Sequence, residues 1–198
     1  MNKNLALFDF DGTITREDTF LELIKFSKGT TRFYFGMAVL SPVLFLYKIN
    51  VLANWRAKEI TFSYFFKHEN VEAFKQMCHR FSTLRLPHLI RPSALEKIKE
   101  HIINNDHVVI VSASSSWWIS GWSNAYNIQL ITTQWEVSNN KITGKINGYN
   151  CYGPVKRDLI KATLDIKSYA HIYAYGDTSG DREMLALTPE SYYKYFTD

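Results

Sequence analysis

The chain has 198 residues, 46% of them hydrophobic, and 23 Lys and Arg against 19 Asp and Glu, a formal charge of +4. That length holds one ordinary core domain and a smaller insertion, and the apolar content excludes wholesale disorder. The charge is far from the basic excess that would nominate nucleic acid as a partner. Two cysteines, Cys78 and Cys151, lie far apart outside any C-x-x-C spacing, which argues against a disulfide scaffold or a zinc site and suits a reducing compartment.

After Met1–Asn4 the chain goes straight into the apolar run Leu5–Phe10, so no signal peptide is visible and a cytoplasmic protein is expected. The run ends at acidic residues and Gly12, which predicts a buried parallel strand followed by a loop. Residues 16–86 read as several helices, rich in Phe and Tyr and broken at Gly29, Gly36 and Pro42. This segment is also the basic part of the chain. Residues 16–91 carry 12 Lys and Arg against 6 Asp and Glu, while the remainder has 11 against 13. A negatively charged substrate or membrane surface could exploit that surplus, although on charge alone a solvated helical face is the preferred reading. The longest uncharged stretch, Phe33–Tyr47, is fifteen residues with Ser41–Pro42 in its middle. A membrane-spanning helix needs about 20 apolar residues, so helices of the insertion are expected here, with a lipid-touching patch as the sharper alternative.

Residues 93–105 predict an amphipathic helix with Ser93 as N-cap and Glu96 three residues later. His107–Val111 is a second buried strand, ending in a Ser-rich turn from Ser112 to Ser116. A helix from about Trp117 to Tyr126 and a strand over Ile128–Thr132 follow. Alternation around Asn139–Asn140 signals a β-hairpin, Lys156–Leu164 is helical, and Ile172–Tyr175 is a last core strand ending at Gly176–Asp177. Strands alternating with helices predict an α/β fold, an open parallel sheet with helices on both faces.

In such a sheet the carboxyl ends of the strands line one crevice, so polar clusters at three strand ends converge. Asp9 and Asp11, at i and i+2 of an extended segment, suit a nucleophile and a general acid/base, and Gly12 allows a sharp turn beside an anion. Ser112 and the N–H groups after it are phosphate donors, and Lys156 at a helix start after Gly153–Pro154 can neutralise a phosphate. The oxygen-rich run Gly176–Asp181 suits Mg²⁺. Singly these signals are weak, because Asp in loops usually caps or turns and a lone Lys is usually solvated. Their common placement at element ends makes them a site.

These residues resemble the haloacid dehalogenase superfamily over nearly the whole chain. FDFDGT (8–13), VVIVSAS (108–114), Lys156 and GDTSGD (176–181) are similar to its four motifs in order. The helical insertion resembles the type C1 cap of the phosphoserine-phosphatase-like branch, subfamily IB. The segments KITGKINGYNCYGPVK and YAYGDTSGDREMLAL are similar to a bacterial group that includes phosphatidylglycerophosphatase C-type proteins. The resemblance implies a Rossmann-like, doubly wound core of residues 1–14 and 91–198 with a cap of residues 15–90.

It further implies that Asp9 attacks phosphorus and becomes an aspartyl phosphate, while Asp11 protonates the leaving alcohol and then activates water. Mg²⁺ would be held by the Asp9 and Asp177 carboxylates and the Asp11 backbone carbonyl, with Asp181 directly or through water. Ser112 and Lys156 would bind phosphoryl oxygens, helped by N–H groups near Phe10, Asp11 and Ala113 and by the Gly12 turn. An acid at position 11 matches the phosphatases and phosphomutases of the superfamily. Its dehalogenases lack one, and its transport ATPases carry Thr there. Gly180 and Asp18 stand where phosphoserine phosphatases usually have Asn and Glu, which counts against phosphoserine. Asp18, Arg56, Lys58 and the aromatics around Phe33–Phe45 are the substrate-contact candidates in the insertion, with helix capping an equal reading for Asp18 and a solvated surface the preferred one for Arg56 and Lys58; His68, His79 and His88 have no assigned role. The expected activity is that of a phosphoric monoester hydrolase acting on a small phosphorylated substrate. An anionic lipid phosphate such as phosphatidylglycerophosphate is the preferred substrate, met at the inner membrane surface without a transmembrane span. Phosphoserine or another small phosphometabolite is the alternative, and a mutase or a non-catalytic binding protein comes after these.

Overall fold

The run of four apolar residues at the start of the chain becomes the centre of the sheet. In the computed structural model, which describes residues 3–198, the strands in chain order are β1 (Leu5–Phe8), β2 (His107–Ser112), β3 (Gln129–Thr132), β4 (Gln134–Ser138), β5 (Lys141–Asn147), β6 (Ile172–Gly176) and β7 (Ser191–Tyr193). Five of them form one parallel sheet in the order β3-β2-β1-β6-β7, and β4 with β5 forms a separate antiparallel hairpin. β1 is buried on both sides, which is why it reads as a continuous apolar run rather than an alternating one. Leu5 and Leu7 point into one core with Val109, Val111 and Ala174, and Ala6 and Phe8 into the other with Val108, Ile110 and Tyr175.

Helices α1 (Thr19–Lys28), α2 (Thr30–Val39), α3 (Ser41–Lys48), α4 (Asn54–Phe66) and α5 (Val71–Leu84) all follow β1. Helices α6 (Pro92–Ile103) and α7 (Ser116–Ser123) cover one face of the sheet through Ala94, Ile98, Trp118 and Ile119. Helices α8 (Pro154–Thr163) and α9 (Arg182–Leu185) cover the other through Ile160 and Met184. The expected doubly wound α/β arrangement with a helical insertion after the first strand is therefore present.

Several local expectations hold for the reasons given. Asp18 caps α1, accepting from the Leu21 N–H at 3.0 Å, and Gly29 ends that helix at φ +82°. Asn139 and Asn140 both adopt positive φ, as a two-residue hairpin turn requires. Others need correction. Gly36 does not break a helix; it lies inside α2, where a Cβ would sit 2.4 Å from the Phe65 ring, so its role is close packing of α2 on α4. Ser93 is not an N-cap. Pro92 takes the first helical position, to which its fixed φ and missing N–H suit it. The exposed N–H of Ser93 instead donates to Asp198 at 3.0 Å, and its hydroxyl bonds the same carboxylate. Strand β7 was not expected, since its three residues carry no pattern longer than an aromatic pair.

The hairpin joins the insertion rather than the sheet. The Trp135 ring stacks on Phe62 of α4 at 3.6 Å between centroids, the Ile146 N–H donates to Glu59 at 2.8 Å, and the Ser63 hydroxyl donates to the Gly144 carbonyl at 3.1 Å. No helix among the described residues is long and apolar enough to cross a membrane.

Candidate active site

β1 delivers Asp9 to the carboxyl edge of the sheet, where its N–H donates to the Tyr175 carbonyl of the neighbouring strand at 2.9 Å. The chain then turns at Gly12 (φ +85°) beneath Asp177, which follows β6. A Cβ at Gly12 would lie 2.3 Å from an Asp177 carboxylate oxygen, so this glycine is demanded by a close carboxylate as well as by its own backbone angle. The Thr13 hydroxyl sits between Asp9 (3.3 Å) and Asp177 (3.0 Å).

Lys156 is drawn into this cluster by the start of α8. Its residue is only 2% exposed, and its Nζ donates to Asp9 Oδ1 at 2.5 Å and to Asp181 Oδ1 at 2.6 Å. Burial alone would lower its pKa; Asp9 and Asp181 reverse that and hold the ammonium above the ordinary lysine range. Asp181 is fixed from its other oxygen, which accepts from the Asp177 N–H (3.2 Å), the Thr178 N–H (2.9 Å) and the Thr178 hydroxyl (2.9 Å). Against its burial, Lys156 and these donors keep Asp181 below the usual carboxylate range.

Carboxylate oxygens of Asp9, Asp177 and Asp181 all lie within 4.8 Å of one another. Three carboxylates facing one lysine leave an excess negative charge in a buried place. The consequence is visible on Asp9, whose pKa rises to about 7 because of burial, with Lys156 opposing and the charges of Asp181 and Asp11 adding. Burial likewise raises Asp177. A hard divalent cation suits this all-oxygen donor set and would cancel the surplus charge.

Asp11 is held separately. Its Oδ1 accepts from the Thr19 N–H (2.7 Å) and the Thr19 hydroxyl (2.6 Å), and its Oδ2 accepts from the Ser114 hydroxyl (2.5 Å). The carboxylate thus rests against the N-terminal turn of α1, where exposed N–H groups favour negative charge. Trp118 Nε1 donates to the Thr19 hydroxyl at 3.2 Å and fixes it in turn. Thr19 was absent from the sequence-based site. Its signal was the helix start after Asp18, which says nothing of a partner eight residues upstream.

Asp9, Asp11, Ser112, Ala113, Lys156 and Asp181 line a single cavity of ≈ 410 Å³. Ser112 is buried at the end of β2 and accepts from the Ser114 N–H at 2.9 Å. Phe10 is wholly buried beside the cavity residues, and Asp177 lies just outside the lining, against Gly12. The insertion supplies the opposite wall: Phe20 and Leu21 from α1, Met37 from α2, Leu44 and Tyr47 from α3, and Asn54, Ala57, Lys58 and Thr61 from α4.

The charged substrate candidates divide. Asp18 lines the cavity while capping α1, and burial together with the neighbouring Asp11 charge raises its pKa to about 6. Arg56 does not reach the cavity; it is exposed, with its guanidinium 4.7 Å from the Trp55 ring centroid. Lys58, expected on the surface, lines the cavity instead, and its Nζ donates to the Ala113 carbonyl at 2.6 Å. The cause is helical geometry, since residues two apart lie about 200° around an α-helix. Burial holds Lys58 below the ordinary lysine range against the pull of Asp18 and Asp11.

Tyr152 also lines the cavity, and the sequence did not mark it. A Cβ at Gly180 would lie 2.2 Å from its ring, so the departure at Gly180 has a steric cause: the space is filled by Tyr152. Both cysteines are free and buried, and burial pushes the Cys151 thiol up to about 12 and raises Cys78 as well, which makes them inert packing groups.

Comparison with known proteins agrees with this geometry. The family model described as haloacid dehalogenase-like hydrolase matches residues 6–186. The chain is 31% identical over 196 residues to Protein CicA of Caulobacter vibrioides, covering 97% of this chain and 86% of that protein. A protein with unknown function from Bordetella pertussis Tohama I superimposes with a TM-score of 0.81 at 20% identity, covering 96% of this chain and 89% of the other. A substrate-bound phosphoserine phosphatase complex superimposes with a TM-score of 0.69 at 18% identity, covering 98% and 86%. At these identities the solved structures speak for a shared fold.

Proposed function

We propose, from the premise that this chain belongs to the haloacid dehalogenase-like hydrolase family, that it is a Mg²⁺-dependent phosphatase that hydrolyses a phosphate monoester through an aspartyl phosphate on Asp9. The observation that carries this reading is the Lys156 bridge between Asp9 and Asp181, with Asp177 alongside. It gathers a nucleophile, a phosphate-neutralising cation and a set of metal-binding oxygens at one end of one cavity.

Asp9 attacks phosphorus with a carboxylate oxygen, and the bond to the leaving alkoxide breaks. Asp11 gives that alkoxide a proton. After the alcohol leaves, Asp11 takes a proton from the water that attacks the aspartyl phosphate, and phosphate departs with Asp9 restored. Thr19 and Ser114 hold the Asp11 carboxyl in place for both transfers. Ser112, Lys156 and N–H groups near Phe10, Asp11, Gly12 and Ala113 take the phosphoryl oxygens. Asp9, Asp177, Asp181 and the Asp11 carbonyl would hold Mg²⁺, which would supply charge neutralisation for the transferring group. Little covalent chemistry falls to the protein; positioning and electrostatics supply most of the rate.

Residues 15–90 serve as the cap over a core of 1–14 and 91–198, and the β4–β5 hairpin is bound to the cap through Trp135 and Phe62. The substrate we favour is an anionic lipid phosphate, supported by the apolar wall of Phe20, Leu21, Met37 and Leu44 that continues from the phosphate end. A cytoplasmic enzyme working at a membrane face fits it. The opposite charges of Lys58 and Asp18 in the same cavity favour a second reading, a small zwitterionic phosphate such as phosphoserine. Phosphate release from a phospholipid monoester and from phosphoserine, with Mg²⁺ and with Asp9→Asn as control, separates these. Faster turnover of phosphoserine overturns the lipid reading, and full activity in Asp9→Asn overturns the mechanism.

A further inference from the structure

Helices α2 and α3 are thinly covered. α3 has no buried residue, and α2 buries only Phe33 and Gly36. Among the described residues, nine of the eighteen exposed large hydrophobic side chains lie between Tyr34 and Trp55, with Phe35 at 68% and Phe45 at 61% exposure. Such a concentration differs from apolar residues scattered singly over a surface, which need no explanation. The charge of the same stretch is of one sign. Residues 23–58 contain six Lys and Arg and no Asp or Glu. Of these, Arg32, Lys48 and Arg56 are exposed and form no ion pair among the described residues.

The other side of the same two helices faces the catalytic cavity, through Met37, Leu44 and Tyr47. One helical pair therefore carries an apolar, basic outer surface and the inner wall of the substrate cavity. From this juxtaposition we infer that the outer surface of α2 and α3 docks on an anionic phospholipid bilayer, lying in the interface without crossing it. Phe35, Phe45 and Val39 enter the headgroup boundary, while Arg32 and Lys48, with Arg56 from the start of α4, meet the lipid phosphates. The helices are 10 and 8 residues long, too short to span. A second copy of the chain is a poor occupant, because an isologous contact would oppose these cations with no acid to pair them.

This inference deepens the lipid-phosphate reading, and its readout is binding, so it stands or falls without turnover. The full chain is floated with vesicles of phosphatidylcholine containing phosphatidylglycerol, and with pure phosphatidylcholine vesicles. Binding to the anionic vesicles that weakens with salt is expected. Phe35→Ser with Phe45→Ser lowers it about tenfold or more, and Lys48→Ala lowers it about fivefold. None of these residues lines the cavity, so hydrolysis of soluble p-nitrophenyl phosphate stays within about twofold and reports intact folding. Asp9→Asn binds vesicles like the wild type. Equal binding to neutral and anionic vesicles, no binding at all, or variants that bind as the wild type does overturn the inference. So does a concentration-dependent dimer lost in Phe45→Ser without any vesicle binding. A protein that binds vesicles but releases no phosphate from any ester overturns the phosphatase reading instead.

Discussion

Gly12 and Asp177, 165 positions apart, approach so closely that a Cβ on the glycine would lie 2.3 Å from the aspartate carboxylate. The motif glycine is thus a steric condition for placing a carboxylate contributed by another strand. Gly12→Ala, at φ +85°, is expected to cost about 1–2 kcal/mol in folding stability from backbone strain. It should also push Asp177 out of the cluster, so that half-maximal activity needs a higher Mg²⁺ concentration. Thermal unfolding and a Mg²⁺ titration check both; an unchanged Mg²⁺ requirement would disprove the link.

Lys156 compensates two buried carboxylates at once. Removing it leaves them uncompensated, so Lys156→Met should destabilise the metal-free protein by about 3–5 kcal/mol and abolish measurable turnover. Added Mg²⁺ should restore part of the stability and none of the activity, since the cation replaces charge but not the phosphate donor. Denaturant melts with and without Mg²⁺ measure this.

The raised pKa of Asp9 sets a pH dependence. Its value moves from the ordinary 3.8 to about 7, so between these limits the folded protein binds the proton more tightly than the unfolded chain. Stability contributed by this group is therefore greatest at low pH and falls as pH rises from about 4 to 7. In the metal-free state, Asp9→Asn should gain stability relative to the wild type across that window. Mg²⁺ should reduce the difference by stabilising the charged carboxylate. Paired melting curves from pH 4 to 8 test the sign, and a variant that loses ground as pH rises contradicts it.

Lys58 and Arg56, two residues apart on α4, should behave oppositely in kinetics. Lys58→Ala removes a cation from the cavity and is expected to lower kcat/KM about tenfold or more on any phosphate ester. Arg56→Ala should leave soluble-ester kinetics within about twofold, since its side chain lies over Trp55 outside the cavity. Steady-state kinetics on a soluble ester distinguishes them, and equal losses would show that the helix presents both residues to the substrate.

Thr19→Val keeps the N–H bond to Asp11 but deletes the hydroxyl shared between Asp11 and Trp118. The loss of a buried hydrogen bond to a charged group corresponds to about 1.5–3 kcal/mol, so kcat should drop roughly tenfold or more while KM changes little. A selective rise in KM would place Thr19 in substrate binding instead.

What the sequence determined by itself is what local chemistry encodes. The buried run Leu5–Phe8 could only be an interior strand, Asp18 capped the helix that it preceded, and Asn139–Asn140 turned a hairpin. Each follows from the backbone preferences and periodicity of a few neighbouring residues. The convergence of Asp9, Ser112 and Asp177 was legible for a related reason, because parallel strands all present their carboxyl ends on one edge. Tertiary structure alone chose Lys58 over Arg56 and set Thr19 against Asp11. It also put Tyr152 into the space beside Gly180, and it gave Asp198 to Ser93 as partner in place of the cap that Ser93 was expected to form. Those pairings depend on how helices pack and rotate against one another, and side-chain contacts between distant segments leave no periodic trace in the chain.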